Sequence, residues 1–181
     1  MSVSYSPLRY PGGKARLYDW VARIIEDNNC AEKTYVEPYA GGAGLALRLL
    51  IHENVWNIHI NDLDPAIFAL WQAVLESTDQ LCSKIMDAEL TLDEWDRQRS
   101  IYTDQANHDP LEVAFATLFL NRTNRSGIIH SGGMIGGRAQ ASKWNIDARY
   151  NREGLVRRVE LIKEHGDRIS ISNVDAMDLL D

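Results

Sequence analysis

A cluster of glycines follows a short apolar stretch in the first third of the sequence. Gly41, Gly42 and Gly44 follow shortly after the run 34–37 and Pro38. Because glycine has no Cβ, a ligand can approach the backbone of such a turn closely. Asp62 lies 18 residues after Gly44, at the end of a second apolar stretch. An acid in that position accepts hydrogen bonds from ribose hydroxyl groups, so the pattern favours a site for an adenosine-containing ligand. A purely structural tight turn is the alternative.

The spacing of these glycines differs from two common nucleotide-binding motifs. Gly41-Gly42-Ala43-Gly44 lacks the G-x-G-x-x-G spacing of the dinucleotide fingerprint, and no Gly-Lys-Ser/Thr of a P-loop accompanies it. A nucleotide-binding oxidoreductase domain is therefore disfavoured.

Asp175 is a second acid that follows an apolar stretch, this time the alternating run 168–174. A carboxylate there can accept a hydrogen bond from an exocyclic amino group. The alternative is an N-cap for a helix over 177–180, a common use of aspartate. The two roles are compatible with each other.

The elements that must position these acids alternate between helix and strand. Apolar residues recur at helical spacing over 15–27, 45–51 and 66–75, while 34–37 and 55–60 are short apolar runs typical of buried strands. Helices that alternate with strands predict an α/β unit with a parallel sheet.

The middle of the chain has a different pattern. Residues 78–122 are helical throughout, with breaks near Thr91 and at 107–110, and Thr91 followed by Glu94 fits a capping box. The Gly- and Ser-rich residues 126–145 predict a hairpin or a mobile loop. A helix over 151–164 and the strand 168–174 then resume the alternation. We therefore expect an α/β layer interrupted by a mainly helical insertion.

Charge is distributed unevenly along the chain. The net charge is −7, yet residues 121–158 hold eight basic and two acidic side chains, a local charge of +6. A basic segment on an acidic body predicts a localised anion-binding surface, with a merely solvated basic face as the alternative. The eight basic residues are Arg122, Arg125, Arg138, Lys143, Arg149, Arg152, Arg157 and Arg158.

Several general features place the protein among soluble chains. No apolar run approaches the roughly 18 residues of a membrane span, and the first ten residues have no apolar signal core. Cys30 and Cys82 are isolated in sequence, and we expect them to be free thiols in a reducing compartment.

Four stretches, in order and at sensible spacing between Pro7 and Asp175, resemble the motifs of Dam-type (D12 class) N6-adenine-specific DNA methyltransferases. They correspond to the family's N-terminal motif, its cofactor loop, its acidic turn and its entry into the DNA-reading hairpin. In this sequence they read Pro7-Leu8-Arg9-Tyr10-Pro11-Gly12-Gly13-Lys14, Tyr35-Val36-Glu37-Pro38-Tyr39-Ala40-Gly41-Gly42-Ala43-Gly44, Asn61-Asp62-Leu63-Asp64-Pro65 and Phe119-Leu120-Asn121-Arg122-Thr123-Asn124-Arg125-Ser126-Gly127.

The resemblance implies a fold and a division of the chain. The fold is a Rossmann-like methyltransferase fold of the α/β class, dependent on S-adenosylmethionine (SAM), with an inserted, mainly helical DNA-recognition subdomain. Residues 1–75 would form the first part of the SAM-binding core, 76–160 the helical and hairpin insertion, and 161–181 the return to the core. The resemblance also implies a cytoplasmic protein of bacterial or phage origin.

The resemblance further implies the ligands and the residues that contact them. SAM would be the cofactor and double-stranded DNA the partner. Tyr10 would pack on the cofactor with Lys14 close to it, Asp62 would bind the ribose and Asp175 the adenine. The full cofactor-binding set is Tyr10, Lys14, Glu37, Pro38, Tyr39, Gly41, Gly44, Asp62 and Asp175. The DNA-binding set is Asn121, Arg122, Arg125, His130, Arg138 and Lys143, of which the first two would be partly structural.

The catalytic Asp-Pro-Pro-Tyr motif of the family does not occur in the sequence, since Asp64-Pro65 and Asp109-Pro110 are each followed by other residues. We therefore assign no catalytic residue and expect an incomplete sheet, in a fragment or truncated form of a methyltransferase. The alternative is a non-catalytic protein that binds SAM or DNA, or a split subunit that needs a partner carrying the motif. An incomplete core also predicts self-association or a partner chain.

The hairpin segment departs from the family pattern as well. Relatives often have aromatic residues just before the glycine, where this chain has Arg125 and Ser126. For this reason we assign no target sequence.

Overall fold

Three short stretches rich in isoleucine and other β-forming residues build one small parallel sheet. The computed structural model describes residues 4–10 and 12–179. Its strands are β1 (Thr34–Glu37), β2 (Asn57–Asn61) and β3 (Ile169–Ser172), in the order β1-β2-β3. Neighbouring strands are parallel, with Glu37 opposite Ile60 and Ile60 opposite Ile171. The predicted mixed α/β architecture with a parallel sheet is thus confirmed.

Seven α-helices connect and surround these strands in the described residues. They are α1 (Tyr18–Asp27), α2 (Gly44–Ile51), α3 (Pro65–Glu76), α4 (Thr78–Asp87), α5 (Leu92–Thr103), α6 (Pro110–Thr123) and α7 (Arg152–Glu164). The predicted helix over 15–27 begins as the 3-10 turn Lys14–Leu17 before it becomes α1.

Polar side chains begin four of these helices, each by accepting a backbone N–H. Thr91 caps α5 through the amide of Glu94, which is the first half of the predicted capping box. The Glu94 carboxylate accepts from Arg97 and Gln98 instead of completing the box. Asp64, Asp109 and Asn151 cap α3, α6 and α7 in the same way.

The sheet has one face against helices. α2 packs on β1 and β2, and α3 contacts β3. Ile58, Ile60 and Ile169 point to this side and are buried. On the opposite side, Val36 is 39% exposed, and His59 next to it in register is half-buried.

Of the helices between α3 and β3, α4, α6 and α7 pack directly on α3, whereas α5 packs on α6. α6 lies along α3, while α7 contacts both α3 and α4. One continuous cluster of buried side chains, which includes Trp71 of α3 and Phe119 of α6, connects them to the sheet layer. The Gly- and Ser-rich segment that follows α6 pairs through a single isolated antiparallel bridge between Asn124 and Met134. Among the helices described, none has both the length and the apolar character needed to cross a membrane.

Candidate functional site

The carboxyl ends of the three strands meet at one edge of the sheet, where hydrogen bonds of the Asn61 side chain connect them. Its side chain is buried and donates hydrogen bonds to the carbonyl oxygens of Pro38 (2.9 Å) and Val174 (3.0 Å). Its Oδ1 accepts from the Ser172 hydroxyl at 2.6 Å and from the Val174 amide at 3.1 Å. Sequence analysis missed this role, for which the only signal was the position next to Asp62.

Asp62 connects the acidic turn to the glycine turn. Its Oδ2 accepts a hydrogen bond from the Gly41 amide at 2.7 Å, and its Oδ1 accepts one from the Asp64 amide at 3.1 Å. A carboxylate has about four lone-pair sites, so about two remain for other donors. The side chain is partly exposed, and those sites are therefore accessible to a ligand hydroxyl.

Gly41 lies between two aromatic side chains. The ring of Tyr10 rests on it so closely that an added Cβ would lie 2.6 Å from the ring. From the other side, the indole N–H of Trp71 donates to the Gly41 carbonyl at 3.0 Å. The backbone of Gly41 has φ +49°, a left-handed conformation that favours glycine. Trp71 was not identified from the sequence, where its helical spacing indicated only a core residue.

Lys14 anchors the N-terminal loop to the end of β1. Its Nζ lies 3.0 Å from Glu37 Oε1 and donates to the Tyr39 carbonyl at 2.6 Å. Glu37 is only 2% exposed, and its other carboxylate oxygen accepts from the Ala46 amide in α2. Burial raises the pKa of Glu37, while Lys14 and the Ala46 amide offset part of that rise. The ion pair thus compensates a buried charge directly beneath the glycine turn.

A cavity of about 690 Å³ opens beside this ion pair. The N-terminal loop, including Ser6, Tyr10 and Lys14, forms one wall, and Glu37 and the glycine turn form another. Its volume lies within the range typical of small-molecule and cofactor sites.

Tyr10 also borders a second cavity, of about 320 Å³, that includes Asp64, Tyr102 and His130 in its lining. Asp62 and Asp64 both contribute to a raised pKa of the Tyr10 hydroxyl, after burial as the main cause. The Tyr10 ring therefore borders both cavities and lies near the acidic turn.

The remaining residues of the predicted cofactor set lie around this edge of the sheet. Pro38 contributes its carbonyl to Asn61, and the Tyr39 side chain is 69% exposed. Gly44 begins α2. The carboxylate of Asp175 accepts from the Met177 amide at 2.8 Å, but residues 176–179 form a turn and not the helix predicted over 177–180. Leu180, the last residue of the helix predicted after it, lies outside the described residues.

Two members of the predicted DNA-binding set are interior. Asn121 is fully buried, and its amide accepts from the Arg9 backbone N–H (2.7 Å) and donates to the carbonyl oxygens of Arg9 and Gly127. The Arg122 guanidinium donates to the Pro7 carbonyl. Both side chains thus hold the N-terminal loop against α6.

The other four predicted DNA-binding residues are exposed on the segment between α6 and α7. They are Arg125, His130, Arg138 and Lys143. Arg138 forms a bidentate ion pair with Asp96 of α5, with Nη1 2.9 Å from Oδ1 and Nη2 2.6 Å from Oδ2.

Trp144 lies on the same exposed segment, between two cations. Lys143 and Arg149 stand 5.4 and 5.8 Å from the centre of its ring. The indole is 57% exposed, so this surface combines positive charge with an accessible aromatic face.

A family model described as D12 class N6 adenine-specific DNA methyltransferase matches residues 10–180. No curated protein matches the chain. The matched span begins at Tyr10 and includes the glycine turn, the acidic turn and the exposed basic segment.

Proposed function

The chain belongs to the D12 class N6 adenine-specific DNA methyltransferase family, and from this membership we propose that it takes part in methyl transfer from SAM to adenine N6 in duplex DNA. In this proposal the edge of the sheet around Asp62 and Gly41 is the cofactor site. The exposed basic segment between α6 and α7 is the DNA-contacting surface.

The residues at the sheet edge fit an adenosyl cofactor. SAM supplies an electrophilic methyl group on its sulfonium sulfur when it is bound. The free lone pairs of Asp62 would accept the ribose hydroxyls, and the absence of a Cβ at Gly41 lets the Tyr10 ring lie directly on the turn. Tyr10 lines the larger cavity and lies near Asp62, which supports a packing role for its ring against a ligand bound there.

Lys14 and Glu37 would shape the inner end of the same site. The Glu37 carboxylate is buried and paired, and Lys14 uses two contacts to hold the loop in place. Their role is to fix the cavity wall with its charge balanced, so that bound SAM meets a preformed surface. Asp175, on the neighbouring strand end, remains the proposed contact for adenine.

The DNA-contacting surface would be positioned by buried residues and would act through exposed ones. Asn121 and Arg122 hold the N-terminal loop against α6. Arg125, Arg138 and Lys143 then provide the cations for phosphate or base contacts.

We also propose that the catalytic Asp-Pro-Pro-Tyr motif belongs to a segment other than these 181 residues. The two Asp-Pro pairs of the chain support this view, because Asp64 and Asp109 are N-caps with proline at the first helical position. Their carboxylates are engaged with backbone amides. The absence of the motif from the sequence keeps a second candidate open, namely a binding protein or a split subunit without catalysis of its own.

The observation that carries the proposal is the Asp62 carboxylate, bound to the Gly41 amide below the Tyr10 ring. The test is transfer of a tritiated methyl group from SAM to adenine in duplex DNA. It compares the 181-residue chain with the product of its full reading frame. We expect transfer only with a product that contains the catalytic motif, and loss of that transfer in its Asp62→Asn variant.

A matched control is Asp167→Asn, which removes a carboxylate from the turn before β3 at the opposite edge of the sheet. Transfer that persists unchanged in Asp62→Asn would overturn the cofactor assignment. A full-length product that binds SAM and DNA without transfer would favour the non-catalytic candidate.

A further inference from the structure

A cavity lined by arginines lies where α7 meets the 3-10 turn Ile146–Arg149. Its volume is about 500 Å³. The cavity is separate from the two that share Tyr10, and its lining includes one carboxylate among the described residues, that of Asp147. The arginines around it are Arg122, Arg149, Arg157 and Arg158.

These guanidinium groups are close enough to repel one another. The pKa of Arg122 is lowered to about 9, mainly by burial and in addition by the charges of Arg158 and Arg9. The pKa of Arg158 is lowered by burial and by Arg157. Such a cluster destabilises the folded protein unless an anion compensates it.

The structure offers little internal compensation. In the described parts of the chain, the guanidinium groups of Arg149, Arg157 and Arg158 form neither an ion pair nor a hydrogen bond. Arg152 on the same helix is different, because it donates to the carbonyl oxygens of Met86 and Ala88 and so fixes α7 to α4. Arg149, Arg157 and Arg158 are therefore available for a ligand, although the protein as a whole carries a net charge of −7.

The N-terminal loop lies close to the cavity, because Arg122 in the cavity lining donates to the Pro7 carbonyl. The Arg149 charge lowers the pKa of Arg9, after burial as the main cause, so the two side chains are neighbours. Arg9 precedes Tyr10, and its guanidinium donates to the Asn124 carbonyl at the start of the Gly- and Ser-rich segment. The cluster of positive charge thus includes Arg9, one residue before Tyr10, as well as the arginines of α7.

We propose that this arginine cavity binds a backbone phosphate of the DNA, an inference that rests on the proposed function and extends its DNA-contacting surface to α7. Arginine presents planar, forked donors that match phosphate oxygens, and phosphate contacts hold a protein in register on a duplex without reading its sequence. Arg157 and Arg158 provide the outer donors of the site. Arg122 lies at its inner wall, fixed by its contact with Pro7.

The test is duplex DNA binding at several potassium chloride concentrations. It compares wild type with the double variant Arg157→Gln/Arg158→Gln, and the control Arg23→Gln/Lys33→Gln removes two positive charges from α1 and the turn before β1. We expect the cavity variant to bind DNA more weakly, with its log–log salt slope shallower by about 0.9 for each phosphate that the variant no longer neutralises. The control should retain the wild-type slope.

The outcomes separate this inference from the proposed function. If wild type binds DNA, and the cavity variant and the control both show its salt slope, the inference is overturned and the proposed function stays intact. If wild type binds no DNA, the proposed function fails, and inorganic phosphate becomes the probe. Thermal stabilisation by phosphate over chloride at equal ionic strength, present in wild type and absent from the cavity variant, would support a site for free phosphate. Equal responses would overturn the site altogether.

Discussion

At the scale of single residues, the glycine turn offers a sharp test of the cofactor site. Ala at position 41 would have to adopt φ near +49° with its Cβ 2.6 Å from the ring of Tyr10. The left-handed conformation alone costs about 1–2 kcal/mol for a residue with a Cβ. We expect Gly41→Ala to lower the free energy of unfolding by at least about that amount, measured by urea denaturation, and to weaken SAM binding because Tyr10 must move.

Gly133 provides the control for this substitution. An added Cβ there meets no atom within 4 Å, and the backbone of Gly133 does not have a positive φ. Gly133→Ala should therefore change the stability by no more than about 0.5 kcal/mol, as is usual for surface substitutions. Equal effects of the two variants on stability and on SAM binding would mean that the contact between Tyr10 and Gly41 is unimportant.

Arg138 is tied to Asp96 in the protein alone, and the two side chains give a pair of opposite predictions. If Arg138 contacts phosphate, Arg138→Ala should weaken DNA binding and reduce the salt slope by about 0.9. Asp96→Asn should strengthen DNA binding, because it removes a carboxylate that competes for the same guanidinium. The pair is exposed and contributes little to stability, so both variants should keep the wild-type melting temperature. Wild-type DNA affinity in Arg138→Ala would exclude this residue from the interface.

At the scale of elements, the sequence predicted which segments are strands better than it predicted where they begin and end. Val55 and Trp56 belong to the apolar run 55–60 but precede β2. Arg168 donates to the carbonyl oxygens of both residues, and the Trp56 amide donates to Ala31, so these groups are satisfied outside the sheet ladder. Contacts between residues so far apart in the chain leave no periodic signal in the sequence.

The candidate site shows the same division between local and distant signals. The proximity of Asp62 and Gly41 could be predicted, because acids and glycines that follow parallel strands meet at one edge of a sheet. The roles of Asn61 and Trp71 could not, because each depends on which carbonyl its side chain reaches in the folded chain. The arginine cavity depends in addition on how the 3-10 turn Ile146–Arg149 packs against α6, which the basic composition of the segment does not reveal.

The open face of the sheet contains a histidine whose protonation should affect stability. His59 lies between the hydroxyl groups of Ser170 and Ser172, with both ring nitrogens at 2.7 Å, and burial lowers its pKa. A lowered pKa means that the folded state disfavours the protonated ring. The stabilisation that comes from keeping this ring neutral is therefore complete above the ordinary histidine pKa of about 6.5. It is lost as the pH falls through the lower pKa that the ring has in the folded state. We expect the melting temperature to fall less between about pH 7.5 and pH 5.5 in His59→Asn than in wild type.

The exposed His130 supplies the control for that measurement. His130→Asn should keep the wild-type dependence of melting temperature on pH. If His59→Asn and wild type lose the same number of degrees, another group must account for the acid sensitivity.

At the scale of the whole molecule, the open side of the sheet determines how the chain behaves at high concentration. Parallel sheets are normally covered on both faces, and an exposed strand edge is a template for pairing with another chain. Among the described residues, β1 pairs only with β2, and the uncovered side carries Val36, which is 39% exposed. We expect the protein to self-associate as its concentration rises, with an increasing average mass in multi-angle light scattering.

A charge at Val36 should suppress this association without unfolding the protein, because the side chain is not part of the buried core. Val36→Lys places a cation on the edge strand, which opposes pairing between identical copies through charge repulsion and through the hydration that burial would remove. Met86→Lys is the matched control, since Met86 on α4 is 43% exposed and lies away from the sheet. If wild type stays monomeric across the whole concentration range, the open side of the sheet does not drive self-association. If Val36→Lys and Met86→Lys suppress the association equally, its cause is the net charge of the protein and not the exposed strand β1.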